Sequence, residues 1–170
     1  MKIIVGVTGS IAAFKAAELV SRLKDKDYQV YPVLTDEGAK FITELTFNAL
    51  IQKKAQSPIP HVDLSGNADL IIIAPATANT IGKIAGGIAD NLLTEVVMAS
   101  KCPVIIAPAM NTNMWENPIV QDNMQKLKKL GYYFVEAEEG TLACGLVGKG
   151  RLAKIEKILD KAEELLKNRK

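Results

Sequence analysis

Few residues in this chain can do chemistry. Its 170 residues hold one histidine, His61, and two cysteines, Cys102 and Cys144, far apart in sequence. An imidazole with an unperturbed pKa near about 6.5 moves protons at neutral pH. A lone histidine in a Pro-rich loop is, however, more often a surface or capping group. A thiol with a pKa near about 8.5 stays mostly protonated at neutral pH and can serve as an acid. Cys102, directly before Pro103, reads as a small buried apolar residue. Cys144 differs, because Gly140, Gly145, Gly148 and Gly150 surround it, which suggests a mobile flap that closes over a substrate. Two cysteines so spaced do not make a disulfide framework.

Other polar groups come directly after apolar runs. Gly6-Val7-Thr8-Gly9-Ser10-Ile11-Ala12 follows a strand and opens a helix, where backbone amides and the helix dipole suit an anion. Gly9 allows close approach and Ser10 adds a hydroxyl. The segment lacks the Gly-Lys-Ser/Thr of a Walker A loop and the third Gly of the dinucleotide fingerprint. The second strand ends in Leu34-Thr35 rather than an acid, and Asp36 lies one residue beyond. A mononucleotide phosphate fits better than a dinucleotide, with a plain strand–helix turn as the other reading. In Ala74-Pro75-Ala76-Thr77-Ala78-Asn79-Thr80, capping explains one of the three polar residues Thr77, Asn79 and Thr80; three suggest a ligand.

These segments need a frame, and the periodicity supplies one. Lys2–Val7, Gln29–Leu34, Leu70–Ala74, Pro103–Ala107 and Tyr132–Val135 read as strands, the apolar ones buried on both faces. Ile11–Lys26, Asp36–Leu50, Thr77–Lys101, Trp115–Leu130 and Lys154–Lys170 read as helical, with a break expected at Gly86-Gly87. Residues 52–68 and 136–151 read as irregular loops, the second Gly-rich. The alternation predicts an α/β fold, a three-layer α/β/α Rossmann-like sandwich with a parallel sheet, in a single domain spanning 1–170. Ligands in such sheets bind at the carboxyl ends of the strands, where the strand order reverses. A net charge of +2 argues against nucleic acid or a membrane surface as the main partner. The N-terminal run enters a Gly-rich turn and is no signal peptide, and no stretch reaches the roughly 18 apolar residues of a spanning helix. A cytoplasmic protein without a metal is expected.

Pro108-Ala109-Met110-Asn111-Thr112-Asn113-Met114-Trp115 is more specific. It resembles the P-x-M-N-x-x-M-W motif of the homo-oligomeric flavin-containing cysteine decarboxylases, and the resemblance covers nearly the whole chain. GVTGSIAAFKA is similar to that family's flavin-phosphate loop, and ADLIIIAPATANTIGKIAGGIADNLLT to its central flavin-binding segment. His61 stands where the family places its active-site histidine. Ala143-Cys144-Gly145-Leu146-Val147-Gly148-Lys149-Gly150-Arg151-Leu152 resembles the A-C-G-x-x-G-x-G-R segment of the branch that acts on phosphopantothenoylcysteine in coenzyme A biosynthesis. Leu146-Val147 and Lys149 depart from it where an acidic residue is common. The branch is often fused to a ligase domain that would begin where this chain stops, which implies either a stand-alone enzyme or a piece of a fusion.

The resemblance implies an FMN cofactor and net redox-neutral chemistry: oxidation of the thiol-bearing carbon to a thioaldehyde, loss of CO2, then re-reduction to phosphopantetheine. It implies that Gly9, Ser10, Ile11, Thr35, Ala74, Pro75, Ala76, Thr77, Asn79, Thr80 and Met110 hold the cofactor. His61 would take the thiol proton, Asn111 would hold the substrate carboxylate, and Cys144 would protonate the ene-thiolate. Asn111 is also a preferred helix N-cap, and the roles are compatible, since capping uses the oxygen and carboxylate binding the nitrogen. Met114 and Ala143 are further substrate contacts; Met110 and Met114 could equally be core filling. Trp115 reads as a packing or subunit anchor. Lys15, Lys83 and Arg151 are candidates for the substrate phosphate. A homo-oligomer, trimer or dodecamer built from trimers, is implied by analogy. A flavin prenyltransferase shares the fold but lacks the PAMN and ACG segments, and a non-catalytic regulatory relative would have lost active-site residues that are present here.

Overall fold

The computed structural model describes residues 1–51, 66–143 and 145–167. The expectations for His61 and Cys144, and most of the 52–68 loop, lie outside the described residues.

Strands β1 (Lys2–Val7), β2 (Gln29–Leu34), β3 (Leu70–Ala76), β4 (Val104–Pro108) and β5 (Tyr133–Phe134) form one parallel sheet in the order β2-β1-β3-β4-β5. The central strands are continuous apolar runs because both their faces are covered. Ile3, Val5, Val7, Leu70, Ile72 and Ile105 point to one face, and Ile4, Ile71, Ile73, Val104 and Ile106 to the other. Each such side chain contributes about 1.5–3 kcal/mol by leaving water.

Helices α1 (Phe14–Lys24) and α3 (Glu44–Ile51), with the last helix α8 (Ile155–Lys167), cover the first face through Leu19, Val20, Leu23, Phe47, Ile158 and Leu166. Helix α2 (Asp36–Ala39) is a single turn after β2. Helices α4 (Ala78–Gly86), α5 (Leu92–Ala99), α6 (Thr112–Glu116) and α7 (Pro118–Lys129) cover the second face through Ile81, Ile84, Leu93, Val96, Trp115 and Leu127. No helix among the described residues is long and apolar enough to cross a membrane. The strand order reverses between β1 and β3, so the carboxyl ends of these two strands form the ligand-binding position of the fold.

Several elements differ from the sequence reading. The helix expected from Ile11 opens with a 3-10 turn, Ile11–Ala13. The helical run 77–101 is two helices: Gly87 ends the first with φ +71°, and Asn91 starts the second through a capping box with Thr94. The helix expected from Trp115 begins three residues earlier and breaks before Pro118, where Asn117 caps α7 and Pro occupies the first turn. The Gly-rich loop 136–151 is a hairpin, with β6 (Glu138–Thr141) antiparallel to β7 (Val147–Arg151). Its glycines had argued for mobility, but two of them serve close packing. A Cβ on Gly148 would lie 2.5 Å from Thr112 Oγ1, and one on Gly150 would lie 2.2 Å from the Met110 carbonyl oxygen.

Candidate functional site

The loops after β1, β2 and β3 each turn through a hydroxyl residue. Ser10 is extended and its Oγ accepts from the Ala12 amide at 3.2 Å. Thr35 caps α2, its Oγ1 accepting from Gly38 N at 3.1 Å. Thr77 caps α4, its Oγ1 accepting from Thr80 N at 3.3 Å. Extended backbone with a side-chain acceptor is the N-cap preference of Ser and Thr, and here it places three hydroxyl residues at neighbouring strand ends.

Thr8 ties two of these loops together. It is 1% exposed, its hydroxyl donates to the Pro75 carbonyl at 2.7 Å, and it accepts from Thr77 N at 3.0 Å. Thr8→Val keeps the shape and strands both partners, at about 2–3 kcal/mol for the unmet buried groups. The expected result is a lower denaturation midpoint, read by chemical unfolding.

A cavity of about 580 Å³ lies over these turns, within the range of about 300–1,000 Å³ usual for cofactor sites. Gly9, Ser10, Thr35, Thr77, Asn79, Thr80 and Met110 line it, as do Lys83, Asn111 and Met114 from the expected substrate set. Met114 is 47% exposed and so faces the cavity rather than filling the core. Ala74, Pro75 and Ala76 do not line it. They are buried in β3, where Pro75 contributes its carbonyl to Thr8. Lys83 is occupied: its ammonium donates to both oxygens of Asp90, at 2.9 and 2.7 Å. This contact holds the Asp90 carboxyl below the usual carboxylate value. The pair's contribution to stability is thus present above the ordinary carboxylate pKa and is lost as pH falls through the depressed one.

A second cavity, of about 470 Å³, adjoins the first across Ser10, Ala109, Met110 and Asn111. Ile11, Lys15, Ala143 and Arg151 line it, with Phe14, Leu142 and Leu152. Ile11 and Phe14 are 58% and 61% exposed, an apolar floor at its mouth. Asn111 belongs to both cavities. Its Oδ1 accepts from Asn113 N at 2.8 Å as the N-cap of α6, so the donors of this side chain are at its other end, the amide nitrogen. Trp115, 8% exposed, is a packing residue of the second face.

The sequence reading missed Thr8, Phe14 and the pair Asp90-Asn91. Asn91-x-x-Thr94 is a capping pattern that could have located the second helix and, with it, the partner of Lys83.

The donor set of the larger cavity, three hydroxyl caps with Asn79 and Thr80, suits a phosphate and a hydroxylated chain. The close fit at Gly9, where a Cβ would come within 2.6 Å of Glu37 Cβ, shows why that turn is bare. A family profile described as Flavoprotein matches residues 1–167. The chain belongs to the flavoprotein family. A flavin is therefore its cofactor. Over 167 residues this flavoprotein is 47% identical to the "Coenzyme A biosynthesis bifunctional protein CoaBC" of Bacillus subtilis (strain 168), covering 93% of the chain and 41% of that protein. The chain thus spans about two fifths of the length of that bifunctional relative. It is 43% identical to the "Probable phosphopantothenoylcysteine decarboxylase" of Streptococcus mutans serotype c, over 97% of the chain and 98% of that protein. Among solved structures, a PPC decarboxylase Cys-to-Ser mutant complexed with pantothenoylaminoethenethiol superposes with a TM-score of 0.88 at 31% identity, covering 98% of both chains. The FMN-dependent cysteine decarboxylase SpaF gives a TM-score of 0.84 at 30% identity, covering 99% of this chain and 96% of that one.

Proposed function

We propose that residues 1–170 act as one flavoprotein domain that catalyses the FMN-dependent decarboxylation of 4'-phospho-N-pantothenoylcysteine to 4'-phosphopantetheine in coenzyme A biosynthesis. The observation that carries this reading is Asn111. It stands on the wall shared by a hydroxyl-lined cofactor cavity and a second cavity bordered by two cations. The similarity to decarboxylases over nearly the whole chain supports it.

Gly9, Ser10, Thr35, Thr77, Asn79 and Thr80 would hold FMN, which when bound accepts two electrons and later returns them. The Asn111 amide nitrogen donates to the substrate carboxylate. A neutral donor orients this group without the ground-state stabilisation that a guanidinium would add, which would not help it depart. Met114 and Ala143 border the reacting end. Lys15 and Arg151 take the substrate phosphate in preference to Lys83: neither makes an ion pair among the described residues, whereas Lys83 is held by Asp90. His61 accepts the thiol proton and Cys144 protonates the ene-thiolate after CO2 leaves. These two roles rest on the resemblance alone.

The domain would work in the cytoplasm as a homo-oligomer, a trimer or a dodecamer built from trimers. Exposed Ile88, Leu92, Met98 and Ile119 are apolar surface that such contacts would cover.

Purified protein is expected to be yellow and to release CO2 from phosphopantothenoylcysteine without added reductant. A colourless protein, or turnover only with a prenyl phosphate, would overturn the reading. Cys144→Ser is expected to release CO2 yet accumulate the ene-thiol, two electrons more oxidised than phosphopantetheine. Mass spectrometry distinguishes the two products, and phosphopantetheine at the normal rate would remove Cys144 from its role.

A further inference from the structure

Lys149 is one of three residues, with Leu146 and Val147, at which the chain departs from the family's loop pattern, and the structure gives it specific neighbours. Its ammonium lies 5.0 Å from the centroid of the Trp115 ring and 3.8 Å from Glu136 Oε2. Glu136 is itself fixed by Lys128, at 2.6 Å to Oε1, and Lys128 also lies over the Phe134 ring at 5.3 Å. Lys149 thus joins strand β7 to α6 and to the segment after β5.

The glycines on either side of Lys149 leave no room for a side chain. Gly148 packs on Thr112, with no room for a Cβ. Thr112 Oγ1 is buried there without a hydrogen bond among the described residues. The Gly150 carbonyl accepts from the Met110 amide at 2.9 Å. Asn111 therefore sits between two residues, Met110 and Thr112, that are both gripped by β7. Arg151 follows directly on the same strand and lines the cavity that Asn111 shares.

We propose that Lys149 is a positioning residue: by seating its ammonium on Trp115 beside Glu136, it latches the β6–β7 hairpin onto the 110–115 segment and so fixes the spacing of Arg151 and Ala143 relative to Asn111. A cation over an indole face in a partly exposed position biases a docked–undocked equilibrium by a factor of about 2–5. Glu136 adds to the docked state by facing the same ammonium. An acidic residue at position 149 would be repelled by Glu136 and by the ring face, so a lysine at this position is matched to Glu136 and to the Trp115 face it lies over.

As a claim about substrate positioning the inference rests on the decarboxylase reading, so its test has two readouts. The first needs no substrate. In the FMN-loaded protein, hydrogen exchange at the Met110 amide, whose acceptor is on β7, is expected to quicken about two- to fivefold in Lys149→Met. It should quicken further in Lys149→Glu and return to the wild-type rate in Lys149→Arg, whose guanidinium also stacks on indole. The second is kinetic: KM for phosphopantothenoylcysteine is expected to rise by the same factor in Lys149→Met with kcat within about twofold, and Lys149→Arg should restore it. Unchanged Met110 exchange in Lys149→Met and Lys149→Glu would overturn the latch, whatever the enzyme's substrate. Faster exchange with unchanged KM would overturn its role in positioning substrate. Faster exchange in Lys149→Met, with a wild-type protein that proves inactive on this substrate, would leave the latch standing and remove the decarboxylase reading instead.

Discussion

Asn111→Asp is expected to lower kcat/KM for phosphopantothenoylcysteine by at least about 100-fold, or about 2.7 kcal/mol, while the melting temperature stays within a few degrees of wild type. The two effects separate because the two ends of the Asn111 side chain do different work. Its oxygen caps α6 by accepting from Asn113 N, and Asp caps as well as Asn does. Its nitrogen is the proposed donor to the substrate carboxylate. The substitution removes a hydrogen bond to a charged group, worth about 1.5–3 kcal/mol, and sets a second carboxylate against the first. Two like charges about 4 Å apart near a protein surface repel by roughly 4 kcal/mol. Steady-state kinetics and thermal melts on the same preparations check both halves. Activity within tenfold of wild type would mean that the carboxylate binds elsewhere. A collapse in melting temperature would mean that Asn111 acts through the fold.

Gly150→Ala is expected to abolish measurable turnover and to leave flavin binding largely intact. Gly150 has φ +142°, and a Cβ there would sit 2.2 Å from the Met110 carbonyl oxygen. That oxygen is backbone and cannot rotate aside, so β7 must move off the 110–111 segment. The Met110 amide then loses its acceptor, the Gly150 carbonyl. An unmet amide costs about 1–3 kcal/mol and backbone strain of this kind a similar amount. Undocking β7 relieves the strain and lets water reach the Met110 amide, at the expense of the smaller cavity, whose wall includes Gly150, Arg151 and Leu152. Neither Gly150 nor its neighbours on β7 line the larger cavity. The visible spectrum should thus keep its flavin bands while product formation disappears. Loss of flavin and activity together would show that the hairpin supports the cofactor site as well.

The frame was legible where burial on both faces leaves an unmistakable apolar run, as at Ile71-Ile72-Ile73, or where alternation with helical spacing signals crossovers. The cofactor loops were legible for a related reason: polar residues directly after a buried strand, such as Ser10 and Thr77, have to cap a helix or meet a ligand. The hairpin 138–151 was not. Glycines lower local propensity everywhere, and nothing in the sequence shows that Gly148 and Gly150 face Thr112 and Met110 across about 40 residues. The partner of Lys83 was not legible either, since Asp90 lies seven residues on, beyond the helix end at Gly87. Thr8 escaped notice because a buried threonine is ordinary until both of its hydrogen bonds are found to cross between strand ends.

The most direct test is the structure of the FMN-loaded protein with an unreactive substrate analogue in which the thiol is replaced by a methyl group. The expected density shows the flavin ring in the larger cavity, the analogue's carboxylate at about 3 Å from the Asn111 amide nitrogen, and its phosphate beside Lys15 and Arg151. An analogue bound away from Asn111, or a flavin and an analogue on separate surfaces with no shared wall, would contradict the proposed chemistry at its base.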